Sequence, residues 1–270
     1  MWCICVALSA DSSQNCEELK KRIKQNAKDG NWTLDLDGPG PLKASSGIYC
    51  NMTADPPITV VYSEDKSVKV ITDENAGTIS QPYVADIRYY PSLDFAKALA
   101  MNSANCKQFI EFGCKNAKLL NAGEKERLGN WVSAGGVYQN YWGGAPPNSE
   151  SCACGVNNTC LPDKKKKCNC DAKSNSWTKD EGFLTATADL PVTQVVFRDV
   201  NPKNSEANFT VGNLHCSGEH CGYYIHVGGV RPLLVPLLLS PFCVMWKKTT
   251  RKMALWNPGD ETRAKGGTNV

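Results

Sequence analysis

Cysteine is the residue that most constrains how this chain can fold. The sequence has 14 cysteines among 270 residues, and they stand in clusters: five lie from Cys152 to Cys170, whereas none lies between Cys50 and Cys106. Because cytosolic proteins keep their thiols reduced, so many clustered cysteines favour disulfides formed in an oxidising compartment. We therefore expect an extracellular protein, secreted or held at the cell surface, whose fold is cross-linked locally.

The stretch ESCACGVNNTCLPDKKKKCNCD (150–171) allows a second chemistry. Its lysines would favour thiolates, and several thiolates together would suit zinc. Structural zinc sites nevertheless prefer ligands two to four residues apart within a pair, and one residue separates Cys152 from Cys154. An intracellular zinc-binding module therefore stays the alternative of a different class. In the disulfide interpretation, Cys152 and Cys154 bond to other partners, because so small a ring strains a disulfide.

The four consecutive lysines 164–167 also have two interpretations. In a loop, such a run is usually a solvated face, but it also suits heparin or acidic lipid headgroups. The whole chain carries 30 basic and 27 acidic residues, and its net charge of +3 is too balanced to favour a nucleic-acid partner. The sequence leaves both interpretations of the lysine run open.

The motifs of the common enzyme classes are missing from the sequence. It has no Gly-x-Ser-x-Gly elbow, phosphate-binding loop, dinucleotide fingerprint or His-Glu-x-x-His helix. Its three histidines, His215, His220 and His226, stand within twelve residues, and no carboxylate pair stands out. We expect no enzymatic activity, no catalytic residue, no cofactor and no bound metal.

The secondary-structure signals predict many strands and a few short helices. Asn15 is placed to cap a helix with Glu18 at its third position, and 94–101 is a second short helix. The β-rich runs 58–63 and 67–72 flank a short polar stretch and are predicted to form a hairpin. The segment CKQFIEFGC is predicted to be a strand. Successive side chains of a strand point to opposite faces, so the same face is predicted for Cys106, Ile110, Phe112 and Cys114.

The two ends of the chain differ from its middle. Residues 1–14 are interpreted as a truncated signal peptide or as the end of a preceding module. Residues 219–270 form a divergent tail with an uncharged segment, 232–246, whose fifteen residues are short for a membrane helix and contain prolines. Membrane anchoring through this segment is therefore not favoured. Four sequons make candidate glycosylation sites of Asn31, Asn51, Asn157 and Asn208.

A serial set of motifs resembles a known family. Trp142-Gly143-Gly144 is followed by Cys152-Ala153-Cys154-Gly155, a lone Cys160, Cys168-Asn169-Cys170-Asp171 and Leu190-Pro191-Val192. This order resembles the fibrinogen-like module of contactin-associated proteins and neurexin IV, and the resemblance covers about residues 15–218. It implies an α+β fold of the fibrinogen C-terminal type, with mostly antiparallel strands, a few short helices and several disulfides.

The resemblance also implies a function and one disulfide. Family members carry the module within large single-pass adhesion receptors, so we expect a non-catalytic recognition module with cell-surface or matrix proteins, and glycans, as partners. A fragment of such a membrane receptor is the nearest alternative. In fibrinogen-like domains the helix cysteine pairs with the cysteine of a Tyr-Cys-x-Met strand, which implies Cys16–Cys50. The cysteines expected in disulfides are Cys16, Cys50, Cys106, Cys114, Cys152, Cys154, Cys160, Cys168, Cys170 and Cys216.

Overall fold

A computed structural model of the chain describes residues 13–37, 40, 42–121 and 126–219, together with the backbone of 223–224 and 234–235. The chain divides into two units, Met1–His220 and Cys221–Val270. In the second unit, Tyr223–Tyr224 pairs with Leu234–Val235 in antiparallel register. The rest of the apolar segment 232–246, and residues 1–12, lie outside the described residues.

Three short α-helices form among the described residues of the first unit. They are α1 (Cys16–Ile23), α2 (Leu93–Asn102) and α3 (Ala153–Asn157). The Asn15 side chain accepts a hydrogen bond from Glu18 N at 2.8 Å, so the predicted cap satisfies a free helix donor. The Glu18 carboxylate accepts from Gln14 N, the residue before the cap, rather than from Asn15 N as in a full capping box. None of the described helices is long and apolar enough to cross a membrane.

Strands are the commonest regular elements among the described residues of the first unit, and every strand pairing there is antiparallel. They are β1 (Gly30–Leu34), β2 (Ser45–Asn51), β3 (Ile58–Ser63), β4 (Lys69–Val70), β5 (Tyr83–Asp86), β6 (Tyr89–Tyr90), β7 (Ser103–Lys115), β8 (Gly129–Val132), β9 (Tyr138–Gln139), β10 (Thr178–Leu184), β11 (Gln194–Phe197) and β12 (Glu206–Glu219). The main sheet has the order β1-β2-β3-β12-β7-β10, with β4 on β12 and β6 on β3, and a second sheet has the order β5-β11-β8-β9. The coarse prediction of mostly antiparallel strands with few short helices is confirmed.

The strands β7 and β12 are the longest strands of the main sheet and pair with each other. They pair from Lys115↔Glu206 to Ser103↔Glu219, with a register shift between Val211 and Leu214. The predicted face of β7 is buried, because its even-numbered residues from Cys106 to Cys114 all lie in the interior. That face also carries Gln108, whose amide donates to the Tyr89 hydroxyl at 2.7 Å and to Gly212 O and accepts from Val192 N. Every polar atom of this buried side chain is therefore satisfied.

Aromatic side chains join the two sheets in one core. The Phe112 ring from β7 lies 4.7 Å from the Phe197 ring of β11, centroid to centroid. The rings of Phe209 of β12 and of Trp142 each lie about 6 Å from the Phe197 ring. All four side chains are buried, so the hydrophobic core lies between the main sheet and the second sheet.

The predicted hairpin between 58–63 and 67–72 is wrong. Both segments contain strand residues, but β3 pairs with β2, β12 and β6, whereas β4 pairs with β12 at Asn208 and Phe209. The polar stretch between them therefore connects two separate positions in the sheet. The short-range pattern identified the strands, and a long-range partner decided their pairing.

The aromatic core predicts a large effect of one truncation. Phe112→Ala should lower the free energy of unfolding by about 3–5 kcal/mol, because it removes buried ring contacts and leaves a cavity. Phe183→Ala is the matched control, because Phe183 lies on the paired strand with 43% of its surface exposed, and it should cost far less. Denaturant unfolding with the disulfides intact measures both, and equal losses would contradict this view of the core.

Candidate functional site

The cysteine-rich loop, which we define as residues 150–171, is closed by disulfides. Cys152 bonds to Cys168 and Cys154 bonds to Cys160, with Cα–Cα distances of 5.0 and 4.7 Å. The two closely spaced cysteines thus bond to different partners. The smaller ring lies inside the larger one, and the loop begins and ends at neighbouring points of the backbone.

Three further disulfides connect distant segments. Cys114–Cys170 fastens the end of the loop to β7, with a Cα–Cα distance of 6.0 Å. Cys106–Cys216 crosses between the paired strands β7 and β12. Cys16–Cys50 joins α1 to β2, which is the pairing that the family resemblance implies.

Disulfide bonding leaves no thiolates for zinc among the described cysteines. All ten of them are in disulfides, and the other four cysteines of the chain lie outside the described residues. The sulfur atoms of Cys152 and Cys168 do lie close to the buried Asp180 carboxylate. However, these sulfurs bond to each other, and zinc requires thiolates. The zinc interpretation of the loop therefore lacks its ligands in this structure.

Gly155 of the loop is a glycine because another backbone segment passes close to its Cα. Gly155 lies in α3, and a Cβ added there would be 2.2 Å from the Lys167 carbonyl oxygen. The same carbonyl accepts a hydrogen bond from Cys152 N at 2.9 Å. Only glycine lets the start of the loop lie directly on its return, because any side chain would push the Lys167 backbone away.

Asp180 holds the returning end of the loop. It is buried on β10, and its two carboxylate oxygens accept from Asn169 N and Cys170 N, each at 2.9 Å. Burial raises the pKa of this carboxyl to about 6, although the two backbone donors act in the opposite direction, and Asp171 raises it further. The sequence analysis assigned Asp180 no role, because nothing in the segment DEGFL (180–184) marks its first residue as buried.

Asp171 makes a similar connection to another segment. Its Oδ1 accepts from Leu119 N at 3.1 Å and from Asn121 N at 2.9 Å. Leu119 and Leu120 are buried in the core. The end of the loop therefore binds β10 through Asp180, β7 through Cys170, and residues 119–121 through Asp171.

The four lysines project from the opposite end of the loop. We call this segment, Lys164–Lys167, the lysine tip; all four residues are exposed. Asp163 shapes the turn before it, because its side chain accepts from Lys165 N at 2.9 Å and its carbonyl from Lys166 N at 3.0 Å. Leu161 N also donates to the Asn169 side chain at 2.8 Å, which ties the turn to the disulfide-linked base.

The sequon asparagines occupy different environments. Asn31 on β1 and Asn157 at the end of α3 are exposed. Asn51 is half-buried, and its side chain accepts from Ala54 N at 3.0 Å. Asn208 is half-buried in β12, where its Oδ1 would lie 2.4 Å from a Cβ on Gly113 of the neighbouring strand. Glycosylation stays a prediction, and Asn31 and Asn157 have the accessible side chains it needs.

The fold and the loop define a class: a module of mostly antiparallel strands, cross-linked by disulfides, that presents a rigid exposed loop. The sequence of this chain is similar to part of Contactin-associated protein 1. The mouse protein (Mus musculus) is 37% identical over 207 residues, and the rat (Rattus norvegicus) and human (Homo sapiens) proteins are each 36% identical over 207 residues. No family model matches the chain.

The match covers 76% of this chain and 14% of each relative. The chain thus spans about a seventh of the length of these relatives. The matched part of the chain belongs to the contactin-associated protein family, as one module of it.

The disulfide arrangement predicts specific linked peptides. Protease digestion without reduction should release one cluster that contains Cys152–Cys168 and Cys154–Cys160, joined through Cys114–Cys170 to the β7 peptide. Mass spectrometry of the secreted chain measures these links and counts free thiols. Free thiols in the loop together with stoichiometric zinc would contradict the arrangement and favour the zinc-binding alternative.

The raised pKa of Asp180 predicts a pH-dependent stability. Its folded-state value of about 6 lies above the value of about 4 expected in the unfolded chain, so the folded state binds more protons between these values. Lowering the pH from 7 to 5 should therefore stabilise the wild-type chain relative to Asp180→Asn, by about 1 kcal/mol.

Denaturant unfolding at the two pH values measures this difference. Asp163→Asn, which removes an exposed carboxylate of the same loop, controls for the loss of one negative charge. A difference between wild type and Asp180→Asn that is the same at both pH values would show that the buried carboxyl does not titrate in this range.

Proposed function

We propose that this chain is an extracellular recognition module for cell adhesion, of the fibrinogen-like type, and that it is not an enzyme. The observation that carries the proposal is the 37% identity over 207 residues to Contactin-associated protein 1. The Cys16–Cys50 bond between a short helix and the neighbouring strand supports the fibrinogen-like assignment. The proposal applies to the chain as a separate protein and as one module of a longer membrane receptor.

The oxidised cysteines support an extracellular location. Five disulfides within the described residues would not persist in the reducing cytosol. The loop depends on them, because it has few apolar residues with which to bury itself. Secretion therefore provides the conditions under which this fold is stable.

The surroundings of His215 support a role without catalysis. A general base needs a nucleophile or substrate proton within hydrogen-bonding reach. His215 lies on β12 with Val60 and Lys107 as its cross-strand neighbours, so no serine, threonine or cysteine nucleophile stands directly opposite it. Burial and the charge of Lys107 lower its pKa. The other two histidines, His220 and His226, lie outside the described residues.

The surroundings of one surface depression also suit a structural role. The depression measures about 440 Å³ and is lined in part by Asp199, Asn201 and Ser205. Asp199 accepts from Lys118 N at 2.9 Å and forms an ion pair with Lys173. The Ser205 hydroxyl donates to Asn201 O at 3.0 Å. Asp199 and Ser205 are thus both engaged in holding loops together.

Contactin-type cell-surface proteins are the proposed partners. The relatives are named for an association with contactin, and the rigid exposed loop of this chain offers a surface for such a contact. Recognition commonly resides in loops that a rigid scaffold positions, and here disulfides provide the rigidity.

A binding assay tests this function. The full chain, secreted with an affinity tag, should bind saturably to cells that display contactin and not to cells that display an unrelated surface protein at equal density. Opening the disulfides by reduction and alkylation should weaken the binding, because the loop loses its order. Retention inside the cell with free thiols, or equal binding to both cell types, would contradict the proposal.

A further inference from the structure

We propose that the lysine tip, Lys164–Lys167, binds a sulfated glycosaminoglycan. This inference rests on the proposed extracellular function and names a further class of partner for the same module. It gives a function to the part of the cysteine-rich loop that contributes nothing to the core.

The charges of the lysine tip are free to bind an anion. Within the described ranges, none of the four lysines forms a salt bridge. The nearest acid in the sequence, Asp163, leaves residues 163–167 with four positive charges and one negative, a net +3. One of its carboxylate oxygens already accepts from Lys165 N. Four adjacent ammonium groups therefore face solvent with little internal neutralisation.

The loop holds these lysines in place before any ligand binds. Cys160 and Cys168 flank the segment, and each is disulfide-bonded to the α3 region. The Lys167 carbonyl accepts from Cys152 N and from the Ser151 hydroxyl. A flexible tail would lose conformational entropy when it binds a polyanion, and a cross-linked loop loses less. The backbone of the tip is in this sense preorganised for binding.

The chemistry of the tip favours a sulfated polysaccharide over other polyanions. Single-stranded nucleic acids are bound with aromatic side chains that stack on bases, and residues 159–168 contain no aromatic residue. Anionic lipids that attract lysine clusters lie mainly in the cytoplasmic leaflet, on the other side of the membrane from an extracellular module. A glycosaminoglycan presents closely spaced sulfates outside the cell, which suits a row of ammonium point charges.

Binding of the full chain to immobilised heparin at about 0.15 M salt tests the inference. The tip variant replaces all four residues by glutamine (Lys164→Gln, Lys165→Gln, Lys166→Gln and Lys167→Gln). The control variant makes the same change at four exposed lysines elsewhere, Lys28, Lys43, Lys66 and Lys203, so both variants lose the same total charge. Circular dichroism and thermal unfolding verify that all three proteins are folded.

We expect the wild-type chain to bind heparin and to release it as salt rises. The tip variant should bind at least about tenfold more weakly, because several exposed charge contacts are lost together, and the control variant should stay within about threefold of wild type. Equal weakening in both variants would show attraction to net charge alone and overturn the inference. Absence of binding by the wild type, equal binding to unsulfated heparin precursor, or a preference for phosphatidylserine vesicles would also overturn it.

The contactin assay separates this inference from the proposed function. A chain that is secreted and binds contactin-displaying cells, but not heparin, would overturn the glycosaminoglycan site and leave the recognition function intact. A chain that is not secreted, or that binds neither ligand, would contradict both.

Discussion

The disulfide between Cys114 and Cys170 joins the cysteine-rich loop to β7, the strand that pairs with both β12 and β10. The loop could not order itself by hydrophobic burial, because its tip is polar and exposed. Covalent links and two buried carboxylates provide that order instead. Asp180 holds the backbone of the loop on β10, and Asp171 holds residues 119–121 against its end. The position of the lysine tip depends on these contacts.

This construction places the stabilising contacts and the exposed charges in different parts of the module. The buried residues of β7, β11 and β12 form the hydrophobic core, and the loop contributes cross-links at its base rather than apolar side chains at its tip. Changes at the tip are therefore expected to cost little stability, because exposed residues without tertiary partners contribute little to folding. An adhesion module can vary such a loop between family members while its scaffold stays the same.

Local patterns in the sequence predicted several parts of the fold correctly. The Asn15 cap and the alternation along β7 depend on residues a few positions apart, so the sequence contains all the information they require. The hairpin prediction failed for the opposite reason. The partner of β4 is β12, more than a hundred residues away, and no local pattern records that distance. The buried hydrogen bonds of Gln108 were not predicted, because the local sequence does not show which distant residues will bond to a polar side chain.

The sequence by itself indicated a cross-linked, mostly β module, because clustered cysteines and period-two patterns are properties of composition and spacing. It also placed residues 15–218 in a family through the order of their motifs. The tertiary structure decided how the other eight cysteines bond once Cys16 and Cys50 are paired, because eight cysteines allow 105 pairings and only spatial proximity selects one of them. It decided, too, that Asp180 is buried and that the lysines stand free, since burial and pairing depend on neighbours that only the folded chain brings together.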